Sequence, residues 1–509
     1  MSRVHRLIAT ALLGFAALAS APAEAGKADD TLVYSLREPI DNLSSYFNSL
    51  SDNLIISRQL FDNLLYRDPK TGDFVPQLAK SWRWVNDTTL EFVIRDGIKW
   101  HDGSPFSADD VVFTVNYLAN PELKIETRAR ASWMKSAEKI GNDTVHIHMT
   151  RAFPAAPQFV ATFLVIYPKA HFEKVGIDAF KRAPIGTGPY KIKSFEPGKP
   201  LLLERNRGYF KDSPIGQPSI ANVRIMFIPE VQSRVAQLMV GQVDLIGDIL
   251  TDQMRDLGKV PHLAVASTET EQVEYLFLDA IGRSGETTPL KHLKVRQAIA
   301  HAINREAIAR NLIGPNIPLA KAACTHMMFG CTDKVATYAY DPGKAKQLLA
   351  DAGYPNGFEA PFVYLGERRK VYMEAIFSDL RQVGIRVSPQ LVTFPAYVKQ
   401  VYDGTAQMGH GVAGGAAVFD ASVVLGAFFD GGGRDFARDP LVIAAVKEGG
   451  EVVDPERRKA AYAKALTRIA EQVYWVPLWS NSMNYAFNKD LAFEPPVDNL
   501  PVIAKMKWR

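Results

Sequence analysis

The residues best equipped for chemistry are few. Cys324 and Cys331, the only two cysteines, enclose His326, Met327 and Met328. Cysteines this close in sequence can close a small disulfide loop if their Cα atoms come within reach, and that is the first reading. Two others stay open: a soft-metal site, because Cys, His and Met are the ligands that copper(I) favours, and a pair of free thiols. His146 and His148 alternate as on one strand face without a third ligand in view, and read as surface or core histidines. Asp109 and Asp110 could serve acid/base chemistry, but the charge preference of a helix N-terminus accounts for them. Gly186-Thr187-Gly188-Pro189-Tyr190 follows a glycine-rich phosphate loop for three residues, after which Pro189 and the missing third glycine favour a structural turn. The sequence holds no Gly-x-Ser-x-Gly elbow, no His-Glu-x-x-His helix and no phosphate loop ending in Gly-Lys-Ser/Thr. Catalysis, metals and organic cofactors are therefore not called for.

The elements that must position any site read as mixed α/β. Strand-like runs such as Thr31–Ser35, Leu90–Ile94 and Val223–Ile228 alternate with helical stretches, and neither a repeat nor a Pro- or Ser-rich linker interrupts them. Ser107 followed by Asp110 predicts a capped helix start, Asp341 ahead of Pro342 another, and Gly353 a left-handed stop. Val295, Ala298, Ile299, Ala302 and Ile303 recur at helical spacing, with Arg296, His301 and Arg305 expected on other faces.

Composition bounds the class. With 509 residues, 47% hydrophobic and 22% charged, the chain can bury large cores and excludes bulk disorder. A net charge of +4 over that length is too dilute for a nucleic-acid footprint, and no nucleic-acid partner is expected. Residues 1–25 form a separate segment: Arg3 and Arg6 precede an apolar run over Leu7–Ala19, and Ala23-Glu24-Ala25 supplies the small residues of a cleavage site. This reads as a signal peptide cut before Gly26, with a soluble, periplasmic mature chain.

A longer pattern then emerges. Asn63–Tyr66 leads through Phe74–Ala79 and Ser81-Trp82 to Phe92–Val111, which includes Trp100-His101-Asp102-Gly103. In this order the chain closely resembles the periplasmic solute-binding proteins of the oligopeptide/dipeptide/nickel class that serve ABC importers, solute-binding family 5. Pro184–Tyr190, Val295–Ile299, Tyr340–Ala345, Ala352–Pro355 and Val476–Trp479 look like later blocks of the same family. The resemblance implies an α/β, two-lobe periplasmic-binding-protein fold with a hinge and an extra subdomain inserted in the first lobe. Lobe I is expected over 26–272, with its insertion at 68–185, lobe II over 273–479, and a chain return to lobe I over 480–509.

Family likeness also implies where solute meets protein. Glu38 and Tyr46 follow the first strand; Tyr364, Arg368 and Arg369 follow a later one, the arginines as candidate anion ligands; His410, Phe419 and Asp420 lie in a third region, and Trp479 in the last block. Peptide-binding relatives carry a Trp and then an Asp for the peptide amine where this chain has Val412 and Gly415, which argues against unmodified peptides as preferred solutes and towards an opine-like, blocked or otherwise polar molecule. The implied function is a non-enzymatic, monomeric receptor that closes on a small organic solute and delivers it to an ABC permease and ATPase complex. A secreted hydrolase with acidic cleft residues and a haem-binding or chaperone-like periplasmic protein are the alternatives.

Overall fold

The computed structural model describes residues 26–314, 317–414 and 417–509; the expected signal peptide and Gly415 lie outside them. Ten strands make one sheet: Thr31–Leu36 (β1), Tyr190–Ser194 (β2), Leu201–Arg205 (β3), Asn222–Phe227 (β4), Leu245–Gly247 (β5), Leu263–Leu278 (β6), Phe358–Leu365 (β7), Ile385–Val392 (β8), Met408–Ala413 (β9) and Trp475–Asn488 (β10). Their spatial order is β8-β7-β9-β6-β10-β5-β1-β4-β3-β2. The long antiparallel strands β6 and β10 hold the sheet together, since β10 pairs with β5 on one side and β6 with β9 on the other.

Alternation along these strands builds a core on each face of each half. In β1, Leu32, Tyr34 and Leu36 enter one core while Val33 joins Leu238, Val243 and Ile246 in another. In β6, Leu276 and Leu278 face Val295, Ile299 and Phe362, whereas Val273, Tyr275 and Phe277 face Val424, Tyr462 and Trp475. Such two-sided burial needs strands apolar on both faces, as the Val- and Leu-rich runs supply.

A separate antiparallel sheet, in the order Ala79–Asn86, Thr89–Ile94, Thr144–Met149, Met134–Ile140, packs Leu90, Phe92, Val145 and Ile147 into the first core. Helix Ala108–Ala119 lies in the same core through Val111, Val115 and Leu118, and starts as its sequence predicts, with the Ser107 N–H donating to the Asp110 carboxylate at 2.9 Å. Helix Pro342–Asp351 likewise begins at Asp341, which accepts from the Lys344 N–H at 2.8 Å. Helix Leu293–Ala302 differs from expectation. Arg296 and His301 are buried with its apolar face, Arg296 donating to the carbonyls of Leu290 (2.7 Å) and Gln472 (2.8 Å), so main-chain oxygens replace water around its charge.

Cys324 and Cys331 are joined, their Cα atoms 5.8 Å apart. The loop they close reaches the segment after β9: the Phe329 N–H donates to the Phe419 carbonyl (2.9 Å), and the Ala421 N–H to the Phe329 carbonyl (3.0 Å).

The glycine motif at 186–188 is a joint. A Cβ on Gly186 would sit 1.8 Å from the Leu60 carbonyl oxygen, and one on Gly188 2.5 Å from the Leu60 carbonyl carbon. Thr187 between them donates to Asp62 at 2.9 Å. Glycine is required for this close approach, and phosphate for nothing. Gly186→Ala is expected to destabilise the protein by about 3 kcal/mol, because backbone rather than a movable side chain must give way. Gly450→Ala, in a helix with open space around it, should instead be neutral or stabilise by about 0.5 kcal/mol. Urea unfolding of both variants checks the contrast.

Candidate functional site

Where β6 and β10 cross from one half of the molecule to the other, their ladder is interrupted. Glu269 pairs with Ser482 and Val273 with Ser480, so Thr270, Glu271 and Gln272 face the single residue Asn481. Side chains repair the lost pairing: Thr270 Oγ1 donates to the Asn481 carbonyl (3.2 Å), and Asn481 Nδ2 to Gln272 Oε1 (2.9 Å). This irregularity lines a cavity of about 610 Å³ whose other walls come from β1, the turn after β5, and the helix start after β7.

Among the described residues, Glu271, Arg234 and Arg369 keep buried polar atoms without a hydrogen-bond partner in that cavity; Arg369 Nε still faces Glu274 at 3.5 Å, whereas the other two form no ion pair. Glu271 is 1% exposed; its Oε1 accepts from the Ala417 N–H at 3.0 Å, and its Oε2 has no partner among the described residues. Burial pushes its carboxyl from an ordinary 4.5 to about 7. Arg234, on helix Val231–Met239, is 2% exposed and gives Nη1 to the Gly247 carbonyl at 2.8 Å, while Nε and Nη2 have no partner among the described residues. Burial depresses its pKa, opposed by Asp248 and Asp52. Buried polar groups without partners are exceptions that need a cause, and all three of these residues line one cavity.

Other charges there are already matched. Arg368 donates to Asp248 Oδ1 at 2.6 Å and Arg37 to Asp248 Oδ2 at 3.1 Å, so one carboxylate ties together arginines from opposite halves. Asp248 sits at φ 56°, a left-handed conformation unusual for a residue with a Cβ, as does Ala417 at 71°. Arg369 lies 3.5 Å from Glu274, which also accepts from Tyr372 (3.2 Å) and contacts His410 Nε2. Burial would raise the Glu274 carboxyl, but His410, Arg369 and Tyr372 together hold it below its ordinary range.

The structure therefore sorts the residues expected at the site. Arg368, Arg369 and Trp479 line the cavity, with the Trp479 ring edge-on to Tyr372 at 5.2 Å, although both arginines already face carboxylates. His410 is buried behind them on Glu274. Glu38 faces the start of helix Ser51–Leu60, where its N–H donates to Asp52 at 2.7 Å. Phe419 lies under Arg67, 4.0 Å away, in a second cavity of about 450 Å³. Tyr46, Tyr364 and Asp420 do not line the cavity of about 610 Å³. Tyr46 donates to the Val165 carbonyl at 2.8 Å inside the first core; Tyr364 packs on Phe377; and Asp420 accepts from Arg458 through both oxygens at 2.9 Å. Each is buried because its polar atom found a partner in its own half or its ring found a core. Glu271, Glu274 and Arg234 are the additions. Acidic residues at 269, 271 and 274 inside one strand-like run were a visible signal for the first two; nothing marks Arg234 within its helix.

Residues 73–436, more than half of the chain, match the family described as bacterial extracellular solute-binding proteins, family 5, middle region. Among curated relatives, the heme-binding protein A of Haemophilus influenzae is 26% identical over 467 residues, covering 84% of this chain and 83% of the relative. The dipeptide-binding protein of Escherichia coli K12 is 26% identical over 389 residues, covering 68% and 69%. Among solved structures, HbpA2 from Haemophilus parasuis superposes with a TM-score of 0.81 at 22% identity, covering 94% of this chain and all of that one. A dipeptide-binding protein from Pseudoalteromonas in complex with Met-Leu gives 0.75 at 21%, with the same coverage. The architecture is that of the two-lobe periplasmic binding proteins, and the chain belongs to the bacterial extracellular solute-binding proteins of family 5.

Proposed function

We propose that this protein is the exported receptor of an ABC importer, and that it captures a short peptide or peptide-like zwitterion between lobes made of residues 26–272 with 480–509 and residues 273–479. One observation carries the reading: a buried carboxylate oxygen of Glu271 and a buried guanidinium edge of Arg234 both lack partners among the described residues, and both residues line the same cavity, at the crossing of β6 and β10. A solute with an ammonium and a carboxylate satisfies both, by charge-assisted hydrogen bonds of the kind that repay desolvation. Glu271 thus answers the missing acid at position 415, so a free amine is accepted rather than refused. Export through the signal peptide, a monomeric receptor without enzymatic activity, hinge closure and handover to a permease and ATPase complex belong to the same reading. The dipeptide-binding relatives favour it; the haem-binding alternative has the heme-binding protein A of Haemophilus influenzae as its own relative, while the hydrolase and chaperone-like alternatives have no comparable observation behind them.

Calorimetric titration of ligand-stripped protein with di-, tri- and tetrapeptide pools is the direct test. Binding should weaken by about 2–5 kcal/mol on acetylating the amine, and Glu271→Gln should abolish the preference for the free amine. Arg234→Met should likewise remove the preference for a free carboxylate over its amide. If peptides with both ends blocked bind as well as free ones, the reading fails.

Glu271 also makes stability depend on pH. Its folded-state pKa lies above its unfolded value, so its contribution is fully present below about 4.5 and is lost as pH rises through about 7. That loss amounts to about 3 kcal/mol. Glu271→Gln should flatten the fall in unfolding free energy between these limits, as measured by urea titration at several pH values, while the similar burden of Asp62 and Asp244, each raised by burial to about 6, remains.

Asp248 should act as a latch on closure. Its pairs are partly exposed, so each is worth about 0.5–1 kcal/mol. Asp248→Ala is expected to cost about fivefold in solute affinity and to enlarge the radius of gyration of the solute-free protein in small-angle scattering.

A further inference from the structure

The separate four-stranded sheet carries, on its outer face, a cluster that solute capture does not use. In strand Thr144–Met149 the residues Val145, Ile147 and Met149 turn into the core, which leaves His146 and His148 together on the other side. Strand register places Glu91 beside His146 on one neighbour and Glu138 beside it on the other, while Thr89 and Ser136 flank His148. His146 Nε2 lies 2.9 Å from Glu91 Oε2, and His148 Nε2 lies 3.0 Å from Glu138 Oε1. The two rings stand 6.2 Å apart, nearly perpendicular, and one ligand atom from each of Glu138, His146 and His148 lies within 4.8 Å of the others.

Those separations suit a metal. Tetrahedral zinc, with bonds of about 2.0–2.1 Å, spaces its ligand atoms by about 3.3 Å, so the His148–Glu138 contact is nearly at that spacing and side-chain torsions must close the rest. The surroundings supply what a metal site needs beyond its ligands. His148 Nδ1 lies 3.2 Å from Thr89 Oγ1, a partner for the ring nitrogen that faces away from Glu138. Glu91 is held by Arg83 at 2.7 and 2.9 Å, which makes it an orienting group beside His146 rather than a free ligand. The side chains of His146 and His148 are 19% and 30% exposed and Glu138 59%, so the rings are fixed by the sheet while one side stays open for an ion to enter.

We propose that Glu138, His146 and His148 form a binding site for a divalent cation of the zinc class, oriented by Glu91 and Thr89 and independent of the solute cavity. Two imidazoles and one carboxylate prefer such a borderline cation over calcium or magnesium, which take oxygen ligands. The ion would tie together the three strands that carry its ligands and neighbours, and raise the melting temperature of the whole protein by mass action.

Zinc titrated into tag-free, full-length protein against a chromophoric chelator tests this. One ion per chain is expected, bound at least tenfold more weakly by His146→Ala and by His148→Ala, with peptide affinity unchanged in both. Failure of wild type to take up zinc, or equal uptake by the His146→Ala/His148→Ala double variant, overturns the proposal. A second measurement needs no variant: in wild type, zinc should protect His146 and His148 from acylation, read by mass spectrometry, and leave the exposed His326 reactive. Equal reactivity of all three with and without zinc would also overturn it.

Discussion

The break in pairing between β6 and β10 is the constraint on which the rest depends. Both strands run through both halves, so the sheet would be one rigid slab if their ladder were continuous. Placing three residues against Asn481 interrupts the main-chain ladder where these strands pass from one half to the other, and buried main-chain groups cannot be left unpaired without cost. Thr270, Gln272 and Asn481 meet that demand with side chains, whose bonds adjust more readily to rotation than ladder bonds do. The same break places Glu271 in the lining of the cavity, where the proposed function has it meet the solute.

Charge compensation then separates structural from receptive groups. Asp420 with Arg458 and Glu274 with His410 and Arg369 are matched within the second half, so they fix its shape. Asp248 is matched across the halves by Arg37 and Arg368, and exposure keeps that match weak enough to open. Glu271 and Arg234 are each only partly matched. The saturated ion pairs lie within one half, the modest ones span the two, and in the proposed function the partly matched groups receive the solute. Ala417 belongs to the same scheme, since its carbonyl accepts from Gln158 of the first half at 3.1 Å while its N–H meets Glu271.

Much of the architecture was legible in the chain because it rests on local rules. Alternating apolar runs became strands with a core on each face, Ser107 and Asp341 started helices, and the ordered Trp- and Gly-containing blocks identified the family. Cys324 and Cys331 met because seven residues cannot carry their Cα atoms far apart unless the loop is extended. Site residues were less legible. Arg368 and Arg369 were named through family likeness, yet their carboxylate partners stand 120 and 95 residues away in sequence, where no local pattern could point to them.

The sequence by itself determined the class of protein, its mixed α/β elements, the cysteine pairing as a first reading and the glycine motif at 186–188 as a turn and not a phosphate loop, because each depends on residue type and short spacing. Only the tertiary structure decided which charges are free. Whether a carboxylate is spent or available depends on what the rest of the chain brings within hydrogen-bonding distance and on how much water it excludes. Asp420 and Glu271 are chemically alike in sequence and opposite in the fold: Arg458 takes both oxygens of one, while the ladder break buries the other with an oxygen unpaired.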